Sequence, residues 1–329
     1  MKKETQAQTN PFPYSDSNKR YHTFTYYLHR RFGEKCARIP LDAGFTCPNI
    51  DGTRGIGGCI YCLNGSKAAS RGEGLAEQYS AGMAAVAKKW SCRKYIPYLQ
   101  AHTNTYAPVE TLEDIYAKAA SLPGAVMLAI ATRPDCLGPE VVSLLAKTSQ
   151  KIPLLVELGL QTIHDDTAAY INRGHSYSVF LEGYRRLRSA GGDIAVCIHL
   201  INGLPGEDKA CMLESAKAVA LLKPDMVKLH LLHVLRGTPL CDLYMQKKYT
   251  PMEQGEYVDI VCDQIEWFAP KTVIARVTGD APADLLVAPL WSRRKTAVSN
   301  DIDKELYRRG TYQGIRFWSN ALDKSTDSV

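Results

Sequence analysis

The sequence predicts an α/β fold: an open parallel (β/α)6 barrel, that is, a partial TIM barrel, with a C-terminal extension. Strand-like and helix-like segments alternate through the middle of the chain. The strand-like runs are apolar almost without interruption, as parallel strands buried on both faces must be. The length, 329 residues, suits one barrel with extensions. The expected organisation is a basic N-terminal segment over 1–35, the barrel over 36–270, and an extension over 271–329 that packs on the barrel and contributes to substrate binding.

The strands read in order as CARIPLDA (36–43), YIPYLQ (95–100), AVMLAIAT (125–132), PLLVELGL (153–160), IAVCIHLI (194–201) and MVKLHLLHV (226–234). Apolar residues recur at helical spacing in PVETLEDIYAKAASL (108–122), PEVVSLLAK (139–147), YSVFLEGYRRLRSAG (177–191), KACMLESAKAVALL (209–222) and EQGEYVDIVCDQIEWF (253–268). TVIARVT (272–278) is a seventh strand or part of the extension. In parallel α/β barrels the reactive centre lies at the C-terminal ends of the strands. The polar motifs fall there: a cysteine loop after the first strand, HTNTY after the second, TRPDC after the third, LQT after the fourth and NGLPGE after the fifth.

The cysteine loop, GFTCPNIDGTRGIGGCIYC, sets Cys47, Cys59 and Cys62 with eleven and two residues between them. Three thiolates at such spacing can hold an iron–sulfur cubane and leave one iron open to an outside ligand. Gly52, Gly55, Gly57 and Gly58 let the backbone wrap a bulky inorganic core, and Pro48 stiffens the turn after the first ligand. A structural zinc site ordinarily wants four ligands at short paired spacings. Counting alone leaves it open, with His102, His175, His199, His230 or His233 as a fourth ligand.

Composition narrows the class. Ten cysteines without an apolar N-terminal segment suit a reducing compartment, so a cytoplasmic protein with no membrane span is expected. The net charge is +6, with eight Lys/Arg against three Asp/Glu in residues 1–40. Arg293, Arg294 and Lys295 directly follow Trp291. Basic groups beside aromatics suit phosphates and unstacked bases, although short charge runs are usually solvated surface. GLPGED lacks the ending of a phosphate-binding loop, and GTRGIGG does not match a dinucleotide fingerprint. The other seven cysteines show no paired spacing, which argues against an auxiliary cluster.

The chain resembles radical S-adenosylmethionine (SAM) enzymes of the YhcC/YtqA-type branch, related to the Elongator catalytic subunit. GFTCPNIDGT, GGCIYC, LQAHTNTYAP, ATRPDC, ELGLQT, INRGH, HLINGLPGE, KLHLLHVLRGTPL, VTGDAP and APLW carry the likeness in that order, from about Tyr21 to Gly314. Ile50 stands where the family pattern has an arginine.

The resemblance implies a [4Fe-4S] cluster on Cys47, Cys59 and Cys62, with SAM on its open iron. It implies that Thr103, Asn104 and Thr105 hold the methionine amino group, that Glu157 and Gln161 hold the ribose, and that Arg173 holds a carboxylate. His199 and Asn202 line the same mouth. Read as residues, Glu157 in an apolar strand either binds a ligand or pairs with a neighbour such as Arg133, and Arg173 beside Gly174 suits a helix end equally well. At most one of His230 and His233 points inward. Cys136 either donates hydrogen to a substrate radical or packs inertly. The branch suggests modification of tRNA at the wobble uridine, with Trp291, Arg293, Arg294 and Lys295 touching RNA and a flavodoxin or ferredoxin as electron donor. The alternatives are a coproporphyrinogen dehydrogenase-like enzyme and a zinc-stabilised RNA-binding module.

Overall fold

The computed structural model describes residues 12, 14, 19–63 and 74–317. Most of the basic stretch before Lys19 therefore lies outside the described residues.

Helix α1 (Phe24–Phe32) starts at a Thr23 cap whose hydroxyl accepts from the Tyr26 N–H, and ends at Gly33 in the left-handed conformation. There follow β1 (Cys36–Leu41), α2 (Leu75–Ala87), β2 (Lys94–Leu99), α3 (Val109–Ala120), β3 (Leu128–Thr132), α4 (Pro139–Ser149), β4 (Leu154–Gln161), α5 (Asp165–Tyr170), α6 (Tyr177–Arg188), β5 (Ile194–Asn202), α7 (Lys209–Leu221) and β6 (Met226–Leu231). The chain continues through β7 (Val234–Leu235), α8 (Pro239–Met245), α9 (Gln254–Trp267), β8 (Val273–Arg276), β9 (Leu286–Ala288) and α10 (Lys295–Arg308).

One parallel sheet runs β1-β2-β3-β4-β5-β6-β8, with each strand paired to the next, and forms the half-barrel. TVIARVT is thus its seventh strand. The sixth strand is shorter than its apolar pattern suggested. It ends at Leu231, and Val234–Leu235 leaves the barrel to pair antiparallel with β9. A backbone turn, unlike a polarity change, leaves no trace in HLLHV. Five helices lacked a clear sequence signal; α2, for example, is mostly small residues and buries only Gln78 and Tyr79.

The two faces of the sheet bury different sets. Outward residues such as Ile39, Leu99, Ile130, Val156, Leu158 and Ile198 form the main core with Tyr116, Phe180, Val219 and Tyr257 of the flanking helices. Inward residues near the strand N-termini, Ile96, Met127, Leu155, Met226 and Val273, pack with Leu28 of α1, which seals that end. The opposite, C-terminal end bears the motif loops. No described helix is long and apolar enough to cross a membrane.

Candidate active site

The cysteine loop is braced by its own backbone and by the chain after α5. The Ile50 and Asp51 N–H groups both donate to the Cys47 carbonyl, and the Cys62 N–H donates to that of Cys59 at 3.0 Å. Asn49, fully buried, donates to the Asn172 carbonyl and lies 3.8 Å from Cys59 Sγ. Asn172 returns the contact by donating to the Gly58 carbonyl at 2.7 Å and the Ile56 carbonyl at 3.2 Å. The tight seam explains two glycines: a Cβ on Gly55 would stand 2.4 Å from Asn49 Oδ1, and one on Gly174, at φ +79°, 2.5 Å from it.

The three thiols share one electrostatic neighbourhood. A hydrogen bond from Cys62, helped by Tyr61, Arg133 and Asn49, lowers Cys59 to about 7, and the same pairing raises Cys62. Cys47 acts on Cys62 and on Arg133. Arg133 is buried beside the thiols, clamped bidentately by Asp135 at 2.9 Å and donating to the Arg173 carbonyl. Thiolates facing a fixed guanidinium suit an anionic metal cluster. Among the described residues no three His, Cys, Asp or Glu side chains form a ready-made site for a single ion.

The loops after β2 and β3 meet this loop around a cleft of about 590 Å³ lined by Pro48, Thr53, Thr105, Tyr106, Asp135 and Cys136. Thr105 Oγ1 lies 2.5 Å from Thr132 Oγ1 and donates to the Cys136 carbonyl. Asn104 donates to the carbonyls of Leu99, Ala101 and Ala131, while its own Oδ1 is buried without a partner. Thr103 is buried beside it. Burial pushes the Cys136 thiol up to about 12, so it stays protonated.

Several expected ligands are engaged elsewhere. Arg173 is 1 % exposed and spends its guanidinium on the carbonyls of Leu160, Thr162 and His175, with Asp165 at 3.6 Å. It ties the end of β4 to the loop after α5 and presents no fork to a ligand. Asn202 and Gln264 form a buried reciprocal amide pair at 2.9 and 2.8 Å. Gln161 remains at the end of β4 in the left-handed conformation, half-buried.

Glu157 has a different partner from Arg133. It is fully buried on the inward face of β4, accepts from Tyr98 Oη at 2.5 Å and from Lys228 Nζ, and lies 3.0 Å from His199 Nε2 and 3.6 Å from Arg38 Nη1. These cations hold the Glu157 carboxyl well below the usual range against the opposing effect of burial. His230 faces His199 with ring centroids 5.0 Å apart, whereas His233 has left the strand and meets Ser292. One of the two histidines therefore points inward, as the sequence suggested. A lysine inside MVKLHL was the signal that would have revealed Lys228.

The basic tract after β9 divides. Trp291 packs on Tyr257 and donates Nε1–H to the Met252 carbonyl, and Lys295 pairs with Asp280. Trp291 thus belongs to the body of the protein rather than to an outer stacking surface. Arg293 and Arg294 are exposed; Arg293 donates to the Ala283 carbonyl at 3.0 Å.

Comparison with known proteins adds to this picture. Residues 52–219 match the family model described as Radical SAM superfamily, and 224–308 match that of a Radical SAM C-terminal domain. Protein YtqA of Bacillus subtilis is 47 % identical over 313 residues, 94 % of this chain and 97 % of YtqA. A tRNA uridine(34) acetyltransferase of Methanocaldococcus jannaschii is 31 % identical over 166 residues, 49 % of this chain and 30 % of that protein. Archaeal Methanocaldococcus infernus Elp3, with its N-terminus deleted, shares the fold at a TM-score of 0.64 and 19 % identity, over 84 % of this chain and 64 % of that one.

Proposed function

The chain belongs to the radical SAM superfamily, in the branch of YtqA and YhcC, and from that premise we propose that it modifies tRNA, acting on the side chain of the wobble uridine. The family uses a [4Fe-4S] cluster and SAM. When bound, these supply a carbon-centred radical able to take hydrogen from an unreactive C–H bond.

The residues have distinct tasks in this reading. Cys47, Cys59 and Cys62 hold the cluster on a loop kept in shape by Asn49 and Asn172, with Arg133 balancing its charge. Thr103, Thr105, Gln161 and His199 meet the polar groups of SAM. Asn104, Arg173 and Asn202 position the loops, since their polar groups are largely engaged by the protein. Glu157 holds the cationic side chains around it in place. Cys136 packs against the cleft. The electron comes from a reduced protein such as a flavodoxin or ferredoxin.

The observation that supports RNA as substrate is the likeness, across 49 % of this chain, to a protein named for tRNA uridine-34 chemistry. The charge distribution agrees with it: residues 1–40 hold a net +5 and residues 291–310 a net +3. Binding to tRNA should then weaken with salt at a log–log slope near −0.7 per single-stranded phosphate contact. Replacing the exposed pair, Arg293→Gln with Arg294→Gln, should flatten that slope by about 1.4 and reduce turnover on tRNA while sparing unproductive SAM cleavage. Salt-indifferent binding, or full tRNA turnover by the double variant, would overturn the RNA reading.

A further inference from the structure

We infer that the charged tier inside the half-barrel is a receptor for an oxyanion of the substrate, a carboxylate or a phosphate group. The tier lies between the apolar floor sealed by α1 and the mouth. Arg38 of β1 and Lys228 of β6 pair with Glu157, and Arg276 of β8 lies close enough to feel its charge, so three cations share one buried carboxylate. Arg276 shares Asp280 with Lys295, but that carboxylate is half-exposed at the rim.

Three buried polar atoms in the tier have no hydrogen-bond partner: Arg38 Nη1, His230 Nε2, and Glu157 Oε1, which lies 3.6 Å from that Arg38 nitrogen, too far for a hydrogen bond. Burial lowers the pKa of Lys228 and of Arg276; Glu157 opposes this at both, but Arg38 lowers both further, so the cations crowd one another. Uncompensated buried charge is costly. A second anion would relieve the surplus and occupy the idle donors, and a guanidinium offers it a bidentate grip. The tier is not sealed, because the Arg38, Arg276 and His199 side chains keep 20, 25 and 18 % of their surface. Arg38 is already oriented by Phe24 and Tyr98, with its guanidinium 5.1 and 5.7 Å from their ring centroids.

The inference deepens the reading above, on which it rests for the barrel interior being the substrate chamber, and its test fails separately from the RNA claim. Full-length protein with its cluster reconstituted is titrated calorimetrically with uridine, uridine 5′-monophosphate and uridine-5-acetic acid. One anionic probe should bind at least about tenfold tighter than uridine. Whichever does so identifies phosphate or carboxylate as the source. Arg38→Gln and, independently, Arg276→Gln should erase that preference without lowering the melting temperature; the second covers any misfolding of the first. Equal binding of all three probes, or a preference that survives both arginine variants, would overturn the proposal. A protein that prefers an anionic probe yet ignores tRNA would retain it and refute the RNA reading.

Discussion

Replacing Arg173 with methionine should cost stability first and SAM binding only as a consequence. The guanidinium is buried and satisfies the carbonyls of Leu160, Thr162 and His175. Methionine keeps much of the volume but takes the donor from the Thr162 and His175 carbonyls, at about 1–3 kcal/mol each, while that of Leu160 keeps the Thr162 N–H at 2.9 Å. Against that, burial lowers the pKa of this cation, and its nearest carboxylate, Asp165, is largely exposed, so removing the charge returns part of its desolvation cost. The net loss should be about 2–4 kcal/mol, or roughly 30- to 1000-fold in the folded-to-unfolded ratio. Arg173→Lys should recover little, because one ammonium cannot span three carbonyls. Urea unfolding would measure the loss, and SAM titration well below the transition would show affinity within a few fold of the parent. Unchanged stability with SAM binding abolished would refute the argument and restore Arg173 as a ligand.

Cys59→Ala should lose the reconstituted iron and all SAM cleavage while the barrel melts at the parent temperature; iron content equal to the parent would refute the three-cysteine site. Stability should fall between pH 6.5 and 4, because burial lowers His233 to about 4 and the unfolded chain takes up the proton first. The expected slope is about 1.4 kcal/mol per pH unit for this one group, and His233→Gln should flatten the urea midpoint's pH dependence accordingly. A midpoint constant from pH 7 to 5 would contradict it. Asn172→Ala should lower cluster retention, since it frees the carbonyls of Ile56 and Gly58; iron loss after desalting no faster than in the parent would show that the brace is dispensable.

Strand order and the mouth were legible because both follow from local rules. A parallel strand must be apolar on both faces, and a cluster demands thiolates at a reachable spacing. What local rules omit is who meets whom across the barrel. Glu157 stood out as a charge in an apolar strand, yet its ammonium partner, Lys228, sits two strands away and was brought opposite by the sheet's curl. The resemblance made Arg173 a carboxylate partner, while its place beside a glycine suited a helix end; neither says where its fork points, which is at three backbone carbonyls. The Asn49–Asn172 seam was hidden for the same reason: two amides 123 positions apart have no shared sequence signal. Trp291 invited a stacking role from its basic neighbours, but its indole faces Tyr257 and Met252.

The most direct test of the account is the nucleoside profile of tRNA from cells lacking this protein, complemented with either the parent chain or Cys59→Ala. The account predicts that a wobble-uridine modification changes in the deletion, returns with the parent and does not return with Cys59→Ala. A profile identical in the wild type, the deletion and the two complemented strains would contradict it.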